Sequence, residues 1–169
     1  MSGIAGRERL QPSLLDRLTD DAPGQKRDGP DQQVLSMQQL RQAVLRDLAW
    51  LLNTTNLAAI DDLAATPRAA ASTINFGVPG FTGLISGSRK AMALESAIAE
   101  AIRSFEPRIR PDSLRVRVRS SSEDGAMPKL IFDIQGELWA QPVPQQLFLE
   151  TAIDIETRLA VVTDARRRG

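Results

Sequence analysis

At 169 residues, with 21 Lys+Arg balanced by 21 Asp+Glu, the chain is long enough for one domain with its own core. Its zero formal charge gives no overall field that would draw it onto DNA or an anionic membrane. The absence of Cys and His excludes disulfides, thiolate or imidazole metal sites, a cysteine nucleophile and the commonest general base, so catalysis would have to run on carboxylates, Lys or Ser.

The opening MSGIAGRERLQPSLL lacks the basic, apolar, small-residue order of a secretory signal. Nowhere do about 18 apolar residues follow one another, so the expectation is a cytosolic chain without membrane insertion. Residues 1–35 combine a leucine cluster, Leu10, Leu14, Leu15 and Leu18, with the polar run DDAPGQKRDGPDQQ. Ser13 is a candidate N-cap for a short helix, and the run after it reads as a linker. The cluster is therefore either an adaptable arm that attaches elsewhere or a terminal helix packed on its own domain.

From Ser36 the spacing predicts the most secure helix. Met37, Leu40, Val44, Leu48 and Leu51 form one stripe, Leu45 and Leu52 widen it, and Ser36 with Gln39 makes a capping box. The segment from Leu57 to Ser88 is rich in Ala, Gly and Pro, and its centre, TINFGVPGFTG, reads as a shaped loop. A second helix is predicted over roughly 89–104, with Leu94, Ile98, Ala101, Ile102 and Phe105 on one face. Pro107 ends it, because a residue before proline is pushed away from helical dihedrals.

Beyond that point the period changes to two. Leu114, Val116 and Val118 alternate with Arg115, Arg117 and Arg119; after SSSEDGAMP, Leu130, Phe132 and Ile134 alternate with Ile131, Asp133 and Gln135. QLFLETAIDIE places Leu147, Leu149, Thr151, Ile153 and Ile155 on one face, LAVVTD is a candidate last strand, and ARRRG is a basic end. Helices first and strands after predict an α+β domain over 36–164, two main helices on a small antiparallel or mixed sheet, with a flexible helical arm at 1–35 and a basic tail at 165–169.

Three constellations are candidates for function. Paired carboxylates of a glycosidase could be drawn from Glu106, Asp133 and Glu137, but 21 acids always supply such a pair, and an aromatic content of 4% leaves little for a sugar cleft. Residues 103–119 hold six Arg against Glu106 and Asp112, a local net of +4, which suits phosphate or an acidic partner. Residues 123–164 carry eight acids against Lys129 and Arg158, so cross-strand pairing explains the same row without a ligand. The third is FEPRIRP, residues 105–111. Either Pro107 stops a helix while Glu106 caps local N–H groups or pairs with Arg108, or the kink projects Glu106 and Arg108 at a partner.

Six stretches, in order, carry a resemblance: PSLLDRLTDD, VLRDLAWLLNT, STINFGVPG, IRSFEPRI, GELWAQPVP and LETAIDIET. Together they resemble the TssE family, type VI secretion baseplate proteins within the phage-tail baseplate wedge group, whose domain is historically labelled lysozyme-like. The resemblance implies a cytoplasmic structural part beneath the inner membrane, with no catalytic residue, metal or cofactor. It implies docking on the wedge proteins TssF and TssG and help in starting polymerisation of the sheath proteins TssB and TssC. TssK and the spike protein VgrG are further candidate partners; nucleic acid is not. The family's Glu-Pro-Arg motif falls on Glu106, Pro107 and Arg108, implying contact with the wedge core bundle. Leu14, Leu15, Leu18, Asn75, Phe76, Gly77, Arg115, Arg117 and Arg119 are further candidate contacts. For sheath contact, the final LETAIDIETRLAVV is the expected sheet edge available for strand addition. Arg158 stands where the family pattern leads one to expect a turn glycine, and the lysozyme label supplies no site by itself.

Overall fold

The structure, a computed structural model, describes residues 13–19, 36–80, 88–121, 129–139, 145–154 and 159–165. Arg158, Ile155 and the ARRRG end after Ala165 lie outside the described residues. Four α-helices and four strands follow in the order α1 (Leu14–Leu18), α2 (Met37–Leu52), α3 (Pro67–Ala70), α4 (Ser88–Phe105), β1 (Arg115–Ser121), β2 (Lys129–Leu138), β3 (Gln145–Asp154) and β4 (Ala160–Asp164). The expected α+β class is what forms. All strand pairs are antiparallel, in the order β1-β2-β3-β4, so the mixed alternative falls away.

Local chemistry places both main helices. Ser36 accepts from the Gln39 N–H while the Gln39 side chain accepts from the Ser36 N–H, closing the expected capping box of α2. Leu40, Ala43, Val44, Leu48, Leu51 and Leu52 are buried, and Met37 and Leu45 pack at the margin. α4 contributes Leu94, Ile98, Ala99, Ala101 and Ile102 to the same core and ends at Phe105, just ahead of Glu106-Pro107. Burying each such Leu or Ile stabilises the fold by about 1.5–3 kcal/mol before entropy is counted.

The sheet covers this core with one face. Phe132, Ile134 and Leu138 of β2, and Leu147, Leu149 and Thr151 of β3, are buried, while Val116 and Val118 of β1 and Val162 of β4 are half-buried. The opposite face mixes charged residues with Ile131, Phe148 and Val161, and on it Arg119 meets Asp133 at 2.6 Å and Glu150 at 3.0 Å, tying three strands together. The cross-strand neutralisation expected of the arginine row is met on β1 by Arg119. Arg115 instead donates to the carbonyls of Asp112 and Leu114, and Arg117 is exposed.

Two details differ from what periodicity predicts. The Ala-, Gly- and Pro-bearing segment contains α3 and two 3-10 turns, Leu57–Ala59 and Thr73–Asn75, each too short to create a periodic apolar stripe. Within LETAIDIETRLAVV only β4 is an edge; β3 is interior, and β1 is the second edge.

Thr151 sits in the apolar layer, fully buried, with its hydroxyl lacking a partner among the described residues. A buried hydroxyl without a hydrogen bond costs about 1–3 kcal/mol, and valine keeps its β-branched shape. Thr151→Val is therefore expected to raise stability by about 1 kcal/mol, read as a higher urea midpoint at unchanged m-value. A lower midpoint would contradict the unsatisfied hydroxyl.

Candidate functional site

FEPRIRP is the point where α4, α2 and β2 are joined. Its first residue, Phe105, packs edge-on against Phe76 with ring centroids 5.2 Å apart. The Glu106 N–H still donates to the Ile102 carbonyl, but Pro107 ends the helix and the chain turns; the Ile109 N–H donates back to the Glu106 carbonyl. Ile109 is buried against Gly136, where an added Cβ would lie 2.9 Å from its side chain. On either side, the Arg110 N–H donates to the Glu137 carbonyl and the Trp139 N–H to the Arg108 carbonyl at 2.7 Å, so the motif runs antiparallel along the end of β2.

The charged pair lies inside this corner. Glu106 is 3% exposed, and its carboxylate accepts three bonds from Arg108: the backbone N–H at 3.1 Å, Nε at 2.7 Å and Nη2 at 2.5 Å. Nη2 also reaches Asp47 of α2 at 2.5 Å, while Nη1 is buried without a partner among the described residues. Burial disfavours the Arg108 cation, but Glu106 and then Asp47 more than offset that and hold the guanidinium firmly charged. Both expected roles of Glu106, capping a local N–H and pairing with Arg108, are present. Pro107 is exposed and Arg108 keeps 21% of its side-chain surface.

Around this pair stands a second layer that periodicity and motif reading did not pick out. Arg46 lies 2.8 Å from Asp47 and 2.8 Å from Asp16 of α1, with its guanidinium 5.2 Å from the centre of the Trp50 ring. Both tryptophans of the chain are outward and adjoin the cluster, Trp50 at 52% exposure one turn from Asp47 and Trp139 at 60% beside Arg108. A signal existed: two tryptophans in a chain without tyrosine are conspicuous.

α1 reaches the same place. Ser13 caps it through a capping box with Asp16, as expected of Ser13, and Asp16 then pairs with Arg46, so α1 is tied to its own domain. Leu14, Leu15 and Leu18 nevertheless point outward. Partial burial raises the Asp16 carboxyl, but hydrogen bonds from Ser13 and the Arg46 charge outweigh it and hold Asp16 below its ordinary value of 3.8. A depressed aspartate stabilises the docked helix above that value and loses its contribution as pH falls through the folded-state value. NMR shifts of residues 14–18 are expected to move toward coil values below about pH 4 while those of α2 hold; α1 signals unchanged to the unfolding pH would contradict the Asp16 tie.

The remaining candidate contacts serve the fold. Asn75 accepts from the Ala58 N–H and donates to the Ala70 carbonyl; Phe76 packs on Phe105; Gly77, with φ of 125°, lets Val78 bond to Thr54 and Asn56. The acids nominated for catalysis are also engaged, Glu106 with Arg108, Asp133 with Arg119, and Glu137 with Arg110 and Gln146. A groove of about 1010 Å³ between α4 and the 56–79 segment is lined mainly by small apolar residues, and none of those three acids lines it.

The buried charges of this corner are spent on one another, and exposed tryptophans and the leucines of α1 adjoin it. Residues 38–143 match the family described as baseplate wedge protein gp25, more than half of the chain. The chain belongs to that family, which includes TssE and supplies structural parts of phage-tail-like baseplates. No curated protein matches it. No helix among the described residues is long and apolar enough to cross a membrane.

Proposed function

We propose that the protein is the TssE-type baseplate component of a type VI secretion machine, working in the cytoplasm beneath the inner membrane. Family membership over 38–143 is the observation that carries this reading. In it, the corner formed by Glu106, Pro107 and Arg108 docks on TssF and TssG. The internal ion pairs fix the kink rather than exclude contact, because Pro107, the edge of Arg108, Trp50 and Trp139 stay outward. Exposed Trp and Arg beside a rigid turn are the residue types that dominate interface energies.

Residues 1–35 are the attachment arm in this account, with Leu14, Leu15 and Leu18 as its apolar side; 36–164 form the wedge domain and 165–169 a basic tail. Arg115, Arg117 and Arg119 lie on a sheet face offered to acidic neighbours, and an edge strand of the sheet helps the sheath of TssB and TssC to start. TssK and VgrG are proposed as further neighbours in the assembled baseplate. No catalytic role is assigned to any acid, and the test of that is direct: the purified chain is expected to release no soluble fragments from peptidoglycan above buffer. Co-expression with TssF and TssG from the same source is expected to give one co-eluting complex on size exclusion. Peptidoglycan cleavage that disappears in Glu137→Gln, with no co-elution, would replace this reading by a muramidase.

A further inference from the structure

α1 is held to its domain by its polar side. A docked amphipathic helix ordinarily buries its apolar face, yet Leu14 and Leu18 are 71% and 74% exposed, and the side chain that meets α2 is Asp16. A helix of five residues does not keep its shape alone in water. Among the described residues, its charged tie to α2 is the ion pair of Asp16 with Arg46.

Arg46 is positioned without help from α1. Its Nε donates to Asp47 at 2.8 Å and its guanidinium lies over the Trp50 ring, so both braces come from α2 itself. Nη2 is left over. It stands 2.8 Å from an oxygen of Asp16 and 2.8 Å from one of Asp47, yet it is buried without a hydrogen bond to either. The contact with Asp16 is therefore close in distance and poor in direction, and a carboxylate arriving at a better angle would gain an aligned, charge-assisted bond.

The surroundings choose the ligand. A braced cation beside the exposed Trp50 ring suits a carboxylate flanked by apolar side chains, and Trp and Arg are the residue types that carry interface energy. Asp47 at the back of Arg46, with Glu106 behind Arg108, sets two negative charges near the site, which disfavours a phosphate dianion and leaves room for a single carboxylate. α1 displays the shape that fits, a Ser-capped helical turn with its acid at the third helical position.

We propose that Arg46 and Trp50 form a docking site for an acidic helical turn of a partner protein, and that α1 fills this site in cis until the partner displaces Asp16. The incoming carboxylate takes Nη2 of Arg46. α1 is released by the same exchange, and Leu14, Leu15 and Leu18 become free to enter a contact of their own. The proposal deepens the baseplate reading by naming the chemistry of the chain that meets Trp50, and rests on that reading only for which chain it is.

The test needs this chain and a synthetic probe, so its failure leaves the co-elution experiment untouched. The probe is the end-blocked peptide QPSLLDRLTD, residues 11–20, which contains the capped turn. Added at millimolar concentration to the full chain carrying Asp16→Asn, it should shift the Trp50 indole N–H resonance in NMR spectra. The wild-type chain should need on the order of tenfold more peptide, because its own Asp16 competes from a tethered position. A peptide carrying Asp16→Asn should leave the resonance unmoved, and so should the parent peptide on a chain with Asp16→Asn/Arg46→Gln. No shift in the Asp16→Asn chain, equal affinity for that chain and the wild type, or a shift that survives Arg46→Gln would overturn the proposal. Inorganic phosphate that moved the indole as far as the peptide does would overturn the assignment to a helical turn. Should Arg46→Gln fail to fold, the two peptides decide: equal shifts from both would show that Arg46 does not read the carboxylate, and the docking site would be wrong.

Discussion

Replacing Arg108 with alanine is expected to lower the unfolding free energy by about 3 kcal/mol, a fall in melting temperature of roughly 6–12 °C for a chain of this size. The cause is what remains behind. Glu106, 3% exposed, would lose two guanidinium bonds and keep only the residue-108 backbone N–H, leaving a buried carboxylate without a counter-charge. Asp47 would lose one partner but retain Arg46 at 2.8 Å, so the penalty concentrates on Glu106. Removing both charges with apolar residues of similar length, Glu106→Leu/Arg108→Met, should recover most of the loss, since a buried ion pair often exchanges for packing at little cost. Thermal unfolding of the single and double variants checks this; a double variant as unstable as Arg108→Ala would mean that the pair's geometry, rather than an orphaned charge, sets the stability of the corner.

Gly77→Ala should cost about 2–4 kcal/mol, by backbone strain and by collision. Gly77 has φ of 125°, where an L side chain is strained whatever the space, and its added Cβ would stand 2.4 Å from the Thr54 carbonyl oxygen and 2.9 Å from the Asn56 nitrogen. Those are the groups that accept from and donate to Val78 at 2.9 and 3.1 Å, so the end of α2 would be forced off the 76–78 segment. Chemical denaturation is the readout, and the loss should appear in both transition midpoint and in the near-UV signal. A Gly77→Ala chain within about 0.5 kcal/mol of wild type would show that the loop relaxes freely and does not brace α2.

Much of this architecture was legible in the sequence because it rests on local chemistry and simple periods. The Ser36 and Ser13 capping boxes, the 3.6-residue stripe of α2, the proline stop at Glu106-Pro107 and the alternation of β1 and β2 are all written within a few residues of where they act. Cross-strand neutralisation of the arginine row was legible for Arg119, which finds Asp133 and Glu150, but not for Arg115, which turns to the carbonyls of Asp112 and Leu114. What the sequence could not supply were partners 61 or 107 positions away. Asp47 beneath Arg108 and Asn53 against Ala160 look like ordinary solvated helix residues until tertiary packing brings α2 against the motif and against β4. FEPRIRP remained ambiguous for the same reason. Its spacing permits scaffold or handle, and the structure displays a scaffold whose rim, Pro107, Trp50 and Trp139, is left outward.

Size-exclusion of the chain co-expressed with TssF and TssG, run for wild type and for the folded Glu106→Leu/Arg108→Met variant, tests the docking role of this corner most directly. Co-elution of the wild type, with loss of it in a variant that keeps its circular dichroism and melting transition, is the result expected. Undiminished co-elution of that variant would contradict it and return Glu106, Pro107 and Arg108 to a purely structural role.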